Sequence, residues 1–590
     1  MPTQFHKSRI LLVFFVAFLA FFAVAARLAQ LQLYQYEKWT KKKDSIQKKT
    51  ILTRVRRGTI YDRNGSRLAA SLEVNSLYVQ PGNIAEEEKP LMAKRLSSIL
   101  DIDQNQVLAK LSLNGFAWIK RKLSDKEVEL IKSWITKETG EEDFKKGLLK
   151  KGLGFIKEEK RIYPYDSLAA HLTGFVDIDN KGLEGIELSY DKDLKGKPVE
   201  VTLIKDGKGN IILNEANIVP PSKGYDLVLT IDKVIQSIAE KELAATCDEF
   251  KAKSGIIIAA DPQTGQILAL ANYPTYNLNK FFRYKPDERR NRALTDPFEP
   301  GSTFKIITAA AALEEGKVDP EDKFSVPEHF KVANHTFTRR KDEDSLLTFR
   351  EVIEKSSNIG TIKTAAKLKP EDFYRYVSNF GFGQKVGINL PGENSGKLHE
   401  VENWSGTSQA TLAIGQGISV TALQMINATM AVANGGKLMK PYLVKKVVDP
   451  NGKVVRNYEP EIMSQGEVIS RETSKKLSSI LEGVVENGTG KKAAISKLRI
   501  CGKTGTAQKV DPKTKKYSET DYIASFVGFF PADDPKIAIL VTIDEPKPIH
   551  WGGEVAAPCF KKTAWRIASY LNLLPVCDNP QIAFSSTSTP

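Results

Sequence analysis

A serine and a lysine stand three residues apart in the stretch FEPGSTFKIITAAAALEEG, residues 298–316. Pro300 and Gly301 interrupt the preceding structure, so the sequence predicts a helix that begins near Ser302. The unpaired amides of a first helical turn carry partial positive charge, which favours an alkoxide at Ser302. Lys305 falls on the same face, and its apolar neighbours would desolvate the amine and lower its pKa. The pair therefore has the composition of a nucleophile with an adjacent base for attack on a carbonyl.

A second polar group follows the predicted amphipathic helix LTFREVIEKS. Ser356 and Asn358 are two residues apart, so a hydroxyl and an amide could face one cleft and relay protons or hold an amide substrate. The alternative is an ordinary helix terminus or turn rich in Ser and Asn. Ser112 and Asn114 show the same spacing elsewhere, so the pattern taken alone favours the ordinary helix terminus or turn.

A third group lies in LRICGKTGTAQK, where an apolar strand enters Lys503, Thr504, Gly505 and Thr506. We expect the glycines here to let a substrate backbone approach the strand closely. Lys503 supplies a cation, and the two threonines supply hydroxyls for a carboxylate. The alternative is a surface turn after an edge strand. Each of the three motifs is weak alone, and their order in one chain is the rare feature.

The elements that must position these groups are predicted from the same half of the chain. A strand runs into a long helix near Asp232, whose carboxylate suits a helix N-terminus. Residues 254–272 and 522–544 each predict a hairpin of two apolar strands. Residues 563–574 predict a closing helix. This order indicates an α+β domain in which helices cover an antiparallel sheet.

The preceding region mixes short strands, charged helices and lysine-rich loops. Residues 123–140 predict a helix with an N-cap serine. No catalytic group is evident between residues 54 and 225, so this region is interpreted as a spacer or docking module.

The N-terminus predicts a membrane anchor. Residues 10–26 form an uninterrupted apolar run at the short end of the length that spans a bilayer. Lys7 and Arg9 precede it and favour a cytoplasmic N-terminus with the remainder exported. A cleaved signal peptide is the alternative, because Ala23-Val24-Ala25 fits a small-x-small cleavage site. The length of the run, and its continuation by an amphipathic segment, favour the uncleaved helix.

These features predict six regions along the chain. They are a cytoplasmic N-terminus (1–9), a transmembrane helix (10–29), a juxtamembrane stalk (30–53), a pedestal (54–225), a catalytic domain (226–575) and a flexible tail (576–590).

Composition narrows the possible chemistry and partners. The net charge is +15, with a local excess at residues 38–58 beside the apolar run. We interpret this excess as a membrane-adjacent stalk, because no nucleic-acid module motif is present. The four cysteines form no CxxC pair and the six histidines form no HExxH motif, so no metal or other cofactor is expected.

Taken together, the three groups are the set found in penicillin-recognising serine enzymes, and the sequence resembles the class B penicillin-binding proteins over nearly its whole length. RRGTIYDRNGSRLAAS (56–71) resembles the first pedestal box of that family, and residues 161–196 resemble its later pedestal boxes. NRALTDPFEPGSTFK carries the nucleophile motif, and GQGISVTALQM, VVENGTGKKA and GGEVAAPCF also resemble family segments. The resemblance implies a five-stranded antiparallel sheet between helices, carried on an elongated mixed α/β pedestal.

The resemblance also implies a peptidoglycan D,D-transpeptidase and a role for each site residue. Ser302 would attack the penultimate D-Ala carbonyl of a stem peptide, Lys305 would be the base, and Ser356 would pass protons. Asn358 would hold the donor amide. The third motif would supply the charge and hydrogen bonds around the substrate carboxylate, through Lys503, Thr504, Gly505 and Thr506. The backbone amides of Ser302 and Thr506 would form the oxyanion hole.

Partners follow from the same resemblance. They are stem peptides ending in D-Ala-D-Ala, β-lactams, the lipid bilayer, a membrane-embedded glycan polymerase and divisome proteins. The motif texts resemble septal members more than elongation members. A β-lactamase, an antibiotic sensor and a non-catalytic divisome scaffold are the alternatives. Cys501 departs from the alanine common in the family, and is interpreted either as a small core residue or as a thiol open to oxidation.

Overall fold

The computed structural model describes residues 4–574 except 53–54, 141–142, 199, 206–210, 215–222, 512–513 and 515. The predicted tail, 576–590, therefore lies outside the described residues. The chain divides into two compact units, one of residues 1–56 with 195–224 and one of residues 57–194 with 225–590.

The first part of the chain holds nine helices and seven strands among its described residues. The helices are α1 (Gln4–Ala29), α2 (Tyr36–Gln47), α3 (Lys89–Leu100), α4 (Gln104–Leu111), α5 (Asp125–Thr139), α6 (Phe144–Lys150), α7 (Ala170–Thr173), α8 (Gly185–Ser189) and α9 (Asp191–Lys195). The strands are β1 (Lys48–Leu52), β2 (Ile60–Tyr61), β3 (Arg67–Val79), β4 (Ala117–Lys120), β5 (Leu153–Ile162), β6 (Glu200–Lys205) and β7 (Ile211–Asn214).

The smaller unit contains the apolar N-terminal helix and one small sheet. The stretch Lys7–Tyr34 is helical, with a π-helical segment at Gln30–Tyr34, and is long and apolar enough to cross a membrane. Strands β1, β6 and β7 form an antiparallel sheet in that order. The helix confirms that residues 10–29 form one long apolar helix.

In the larger unit, residues 57–194 are built around the long strand β3. It pairs with β2, β4 and β5, all antiparallel. Helices α3, α4 and α5 bury Leu96, Val107 and Ile131 against this sheet. The helix predicted at residues 123–140 is confirmed as α5, whose N-cap Ser124 forms a capping box with Glu127.

Buried ion pairs join two of the segments that resemble pedestal boxes. Arg57 Nε and Arg161 Nε each lie 2.6 Å from a carboxylate oxygen of Glu187, and all three side chains are almost fully buried. Arg57 Nη1 also lies 2.6 Å from Asp191. Burial raises the free energy of unpaired charges steeply, so these four residues must come together for this region to fold.

The rest of the larger unit contains eleven helices and fourteen strands among its described residues. The helices are α10 (Lys233–Glu249), α11 (Pro286–Arg289), α12 (Arg292–Thr295), α13 (Lys305–Glu314), α14 (Phe349–Glu354), α15 (Asn358–Ala365), α16 (Pro370–Asn379), α17 (Ser408–Ala413), α18 (Ala422–Ala433), α19 (Arg471–Glu486) and α20 (Ala556–Tyr570). The strands are β8 (Asp226–Leu229), β9 (Ser254–Ala260), β10 (Ile267–Tyr273), β11 (Lys323–Ser325), β12 (His329–Val332), β13 (His335–Thr338), β14 (Leu346–Thr348), β15 (Lys437–Met439), β16 (Val444–Val448), β17 (Val454–Asn457), β18 (Ile462–Glu467), β19 (Cys501–Val510), β20 (Tyr517–Phe530) and β21 (Ile537–Asp544).

A five-stranded antiparallel sheet organises this region, in the order β10-β9-β21-β20-β19. Alternate residues of β9 face opposite sides, so Ile257 packs with the core under α10 and α20 while Ile258 packs with the core under α13 and α18. Both predicted hairpins, β9-β10 and β20-β21, are confirmed. The predicted α+β fold with a sheet between helices is also confirmed.

Two predicted helix boundaries are corrected. The closing helix begins at Ala556 rather than at residue 563, because Pro558 lies in the first turn, where a missing N–H breaks no helical hydrogen bond. The helix expected from Ser302 begins at Lys305, and residues Gly301–Phe304 form a 3₁₀ turn before it.

A second sheet connects the two regions of the larger unit. Its order is β17-β16-β8-β2-β3-β4, and β2 lies parallel to β8. Strands from residues 60–120 and strands from residues 226–457 therefore share one hydrogen-bonded sheet.

Candidate active site

The 3₁₀ turn places Ser302 at a partly exposed position between buried neighbours. Gly301 has a φ of +55° and donates its N–H to Gly415 O at 3.0 Å. Thr303 Oγ1 donates to Pro300 O at 2.8 Å and closes the turn. In a 3₁₀ helix the side chains at i and i+3 eclipse each other, so Ser302 and Lys305 share one face.

Lys305 is fully buried and contacts the second predicted motif. Its Nζ lies 2.8 Å from Ser356 O, 2.7 Å from Asn358 Oδ1 and 3.3 Å from Ser356 Oγ. Burial lowers the pKa of Lys305 well below its usual range, and the positive charge of Lys503 lowers it further. A lowered pKa favours the neutral amine, which is the form that can accept a proton.

Ser356 occupies a left-handed turn between α14 and α15, with a φ of +57°. Its N–H bonds to Ile353 O at 3.2 Å, and Ser357 then caps α15 by accepting the N–H of Gly360. A non-glycine residue in this conformation is strained. The turn brings the Ser356 hydroxyl and the Asn358 amide to the same amine.

Lys503 reaches the same hydroxyl from the sheet. It lies on the edge strand β19, is fully buried, and places Nζ 2.9 Å from Ser356 Oγ and 3.2 Å from Thr504 O. Burial lowers the pKa of Lys503 to about 7, with a further contribution from Arg340. The hydroxyl of Ser356 thus bridges two amines from separate motifs.

The remaining members of the third motif lie beside this bridge. Thr504 is buried and its hydroxyl lies 2.6 Å from Thr489 Oγ1. Thr506 is partly exposed and its hydroxyl accepts the N–H of Gly552 at 2.9 Å.

Gly505 packs closely against the turn that carries Ser302. A Cβ on Gly505 would collide with Ser525 Oγ and lie 2.9 Å from Thr303 Cγ2. The absent side chain of Gly505 therefore makes room for β20 and for the 3₁₀ turn. This contact brings the first motif against the third.

The structure also adds residues that the motif analysis did not identify. The rings of Tyr522 and His550 stack with centroids 3.8 Å apart, and the Trp551 ring lies 4.8 Å from His550. Trp551 is exposed and directly precedes Gly552, the partner of Thr506. Tyr522 lies on β20, whereas His550 and Trp551 lie in the loop before α20, so spacing in the sequence gave no signal that they meet beside β19.

Cys501 is a core residue. It is fully buried, and its thiol lies 3.2 Å from Ser478 O. Burial raises the pKa of the Cys501 thiol. A buried thiol with a raised pKa is unreactive, which agrees with the interpretation of Cys501 as a small packing residue.

Two stretches of the chain match known protein domain families. Residues 255–564 match the family described as penicillin binding protein transpeptidase domain, and residues 52–229 match penicillin-binding protein dimerisation domain. The chain is 37% identical over 562 residues to stage V sporulation protein D of Bacillus subtilis, covering 94% of this chain and 84% of that protein. It is 34% identical over 571 residues to the probable peptidoglycan D,D-transpeptidase PenA of Neisseria meningitidis, covering 96% and 92%.

A solved structure agrees with the same assignment. Penicillin-binding protein 3 of Mycobacterium tuberculosis, complexed with aztreonam, superposes with a TM-score of 0.68 at 27% identity, covering 89% of this chain and 98% of that one. The chain belongs to the class B penicillin-binding proteins, which join a dimerisation-type domain to a transpeptidase domain.

Proposed function

We propose that this chain is a peptidoglycan D,D-transpeptidase with Ser302 as its nucleophile. The observation that carries the proposal is the Ser356 hydroxyl bridge, which joins Lys305 at 3.3 Å and Lys503 at 2.9 Å beside the turn that holds Ser302. Family membership supports the reaction class. The roles of the individual residues rest on the geometry and on their chemistry.

In the acylation step, the Ser302 hydroxyl passes its proton to Lys305 Nζ while Oγ forms a bond to the penultimate D-Ala carbonyl. A neutral amine has two N–H groups, which Ser356 O and Asn358 Oδ1 can accept, and this leaves its lone pair for that proton. The backbone amides of Ser302 and Thr506 hold the oxyanion. Each such donor typically contributes about 3–4 kcal/mol.

Collapse of this intermediate breaks the C–N bond and releases D-Ala. The proton on Lys305 reaches the leaving amine through the Ser356 hydroxyl, which has Lys503 on its other side. An amine from a second stem peptide then attacks the acyl-enzyme and forms the new C–N bond. The ester bond between the acyl carbon and Ser302 Oγ breaks, and the proton lost by the amine returns to Oγ. Lys503 keeps positive charge near the substrate carboxylate. Thr504 and Thr506 complete the hydrogen-bonding surroundings of that carboxylate.

β-Lactams would react by the same attack and remain as an acyl group on Ser302. The complex of the Mycobacterium tuberculosis relative with aztreonam supports this expectation. The exposed Trp551 and its aromatic neighbours would contact whichever acyl donor lies along β19.

The proposed domain division and topology follow the sequence predictions. Residues 54–225 would form the pedestal and 226–575 the transpeptidase domain, supported by the family matches at 52–229 and 255–564. The helix at Lys7–Tyr34 would anchor the chain with residues 1–9 in the cytoplasm and residues 30–53 as an external stalk. Cleavage of an engineered protease site in residues 38–43 from outside the cell would support this orientation.

Within the class, we propose a septal role with a membrane-embedded glycan polymerase and divisome proteins as partners. The motif texts support the septal branch, and elongation synthesis is the second candidate. A fluorescent fusion that concentrates at division sites would support the septal branch, while a uniform lateral-wall distribution would favour elongation.

Transpeptidation by the full chain in detergent micelles tests the main proposal. A synthetic stem peptide ending in D-Ala-D-Ala, together with an acceptor amine, should give free D-Ala and a cross-linked product. Ser302→Ala should abolish both products, and Ser464→Ala, on an exposed strand residue, should leave them unchanged. Equal activity in the Ser302→Ala chain would refute the assignment.

A further inference from the structure

The turn that holds Ser302 contacts two separate segments of the chain. One is β19, which the turn meets at Gly505. The other is the segment of residues 413–420. Gly301 donates its N–H to the carbonyl of Gly415 at 3.0 Å, and residues 298 and 420 exchange two backbone hydrogen bonds of 2.8 Å. An acyl donor that lies along β19 therefore leaves the second segment free for another substrate.

A cavity of about 260 Å³ lies beside this second segment. Gln416 and Gly417 line one end of it, and Gly417 donates its N–H to Glu299 Oε1 at 2.9 Å. Glu299 lies three residues before Ser302 in the chain, so this end of the cavity is next to the turn. Sites for whole small ligands typically have about 300–1,000 Å³. This cavity therefore has room for part of a peptide that continues to the nucleophile.

The floor of the cavity is apolar and held in place. Leu398, Trp404 and Leu412 line it, and all three pack in or against the hydrophobic core. The Trp404 indole donates its Nε1–H to the carbonyl of His399 at 2.8 Å, and its ring meets that of Tyr374 edge-on with centroids 6.4 Å apart. A side chain that is already held loses little conformational entropy on binding. Trp404 thus offers a prepared surface for an aliphatic group.

The rim of the cavity carries polar side chains that are available to a ligand. His399, Asn403 and Gln416 make no side-chain hydrogen bond within the described part of the chain, whereas Ser405 and Ser408 bond to each other at 3.1 Å. The two amides can each donate and accept a hydrogen bond. Among the described residues, no carboxylate, lysine or arginine lines the cavity. The lining therefore suits a neutral group that both donates and accepts, such as a peptide amide next to an aliphatic side chain.

We propose that this cavity binds the acceptor stem peptide, the substrate whose amine attacks the acyl-enzyme. The inference rests on the proposed function of the Ser302 site. Amides of the acceptor face Asn403 and Gln416, and an aliphatic side chain of the acceptor lies on Trp404. The bound peptide then leads its amine past Gly417 to the acyl carbon on Ser302.

The cavity holds the acceptor and takes no part in the bond changes. The amine nitrogen forms a bond to the acyl carbon, the ester bond to Ser302 Oγ breaks, and the proton lost by the amine passes to Oγ. Because acylation involves the donor alone, loss of the cavity should leave acylation unchanged. It should instead raise the acceptor concentration that cross-linking requires.

The test compares acylation with cross-linking for the full chain in detergent micelles. Acylation is followed with a fluorescent penicillin. Cross-linking is followed by chromatography with a donor peptide ending in D-Ala-D-Ala and one of two acceptors. The first is a stem peptide with a free side-chain amine, and the second is glycine, which lacks the amide and the aliphatic group that the cavity would hold. Trp404→Ala should raise the half-saturating concentration of the stem peptide about tenfold or more, and leave that of glycine and the rate of acylation unchanged.

Three further variants complete the design. Gln416→Ala removes one amide and should raise the half-saturating concentration of the stem peptide about two- to tenfold. Trp404→Phe keeps an aromatic surface and should retain most of the affinity. Trp565→Ala removes an exposed tryptophan of α20, and as the matched control it should change neither reaction.

The outcomes separate this site from the proposed function. A loss confined to the stem peptide acceptor supports the site. An equal loss for glycine, slower acylation in both alanine variants of the cavity, or no change in either of them overturns it while leaving the transpeptidase assignment intact. If Trp404→Ala alone acylates slowly, Gln416→Ala decides, because it leaves the apolar floor in place.

Two further results would also count against the site. An effect that requires the acceptor to carry its disaccharide would assign the cavity to the glycan and overturn the assignment to the peptide. Absence of acylation in the unmodified chain would refute the proposed function, and the acceptor site with it.

Discussion

Two lysines without solvent exposure share one serine hydroxyl, and this sharing explains the chemistry that the site can perform. In water each amine would be protonated at neutral pH and neither could act as a base. Burial and mutual repulsion lower the pKa of Lys305, and burial lowers that of Lys503 to about 7. The Ser356 hydroxyl lies within reach of both amines and can pass a proton between them.

Lys305→Met tests the base directly. The substitution keeps the length and burial of the side chain but removes the amine, so we expect acylation by penicillin to slow by at least about 100-fold. The thermal unfolding temperature should not fall, because a buried amine is replaced by an apolar group. Lys331→Met, at an exposed position on β12, is the control and should acylate at the normal rate. Normal acylation in Lys305→Met would exclude this residue as the base.

Two substitutions at Ser356 separate the effect of its hydroxyl from the effect of its strained backbone. Ser356→Ala keeps the strained φ of +57° and loses the hydroxyl, whereas Ser356→Gly loses the hydroxyl and relieves the strain. If the hydroxyl carries protons, both variants should acylate about 100-fold more slowly or worse. Recovery of the rate in Ser356→Gly, measured by stopped-flow fluorescence, would show that the backbone and not the hydroxyl is limiting.

At the scale of single residues, the sequence indicated which functional groups do the chemistry but not how each of them is held in place. Residue types and order indicated Ser302, Lys305, Ser356 and Lys503, because nucleophile, base and cation each need a particular functional group. The close packing of Gly505 against Thr303 was not predicted, since what fills the space beside a glycine depends on tertiary packing.

The 3₁₀ turn and the edge strand β19 are the elements that bring Ser302 to the lysines. Gly505 and Thr303 meet closely, and Gly301 N–H is held by Gly415 O. Two separate segments therefore hold this one turn in place.

Gly505→Ala tests this packing. The added methyl group must displace Ser525 or the turn at Thr303, so we expect a loss of about 1–3 kcal/mol in unfolding free energy together with slower acylation. Gly82→Ala is the matched control, because a Cβ there meets open space and the backbone does not adopt a positive φ. Calorimetry and penicillin acylation on the same samples provide both values. A Gly505→Ala chain as stable and as reactive as the control would contradict the close packing.

Most regular elements were predictable because their signals are local. Apolar runs and turn residues predicted the two hairpins, and the N-cap serine, Ser124, predicted the start of α5. The helix start was placed too early at Ser302, because a 3₁₀ turn resembles the first turn of an α-helix in sequence. The start of the closing helix was placed too late, because Pro558 resembles a helix breaker although it lies in the first turn of the helix that begins at Ala556. The parallel pairing of β2 with β8 joins strands more than 160 residues apart, and local patterns do not contain such information.

At the scale of the whole molecule, a half-buried carboxylate lies where residues 57–194 meet α10. Glu240 accepts the N–H of Ala169 at 2.7 Å and the side-chain amide of Gln236 at 2.7 Å. Burial nevertheless raises the pKa of Glu240 to about 7. The folded form thus binds this proton more tightly than the unfolded chain, so stability falls as pH rises from about 4.5 to about 7 and stays reduced above that range.

Comparison with Glu240→Gln isolates this effect. Relative to the variant, the unmodified chain should lose about 3 kcal/mol of unfolding free energy across that interval. Thermal unfolding of both chains as a function of pH measures the difference, and Glu249→Gln, at an exposed position of the same helix, should show no such trend. A difference that is flat with pH would contradict a half-buried, proton-binding Glu240.

Covalent capture by benzylpenicillin tests the central claim most directly. The full chain in detergent micelles, incubated with the antibiotic and analysed by intact-mass and peptide mass spectrometry, should carry one acyl adduct on the peptide that holds Ser302. The adduct should disappear in Ser302→Ala and persist in Ser464→Ala. No adduct on the folded chain, or an adduct on another residue, would contradict the placement of the nucleophile beside the two lysines.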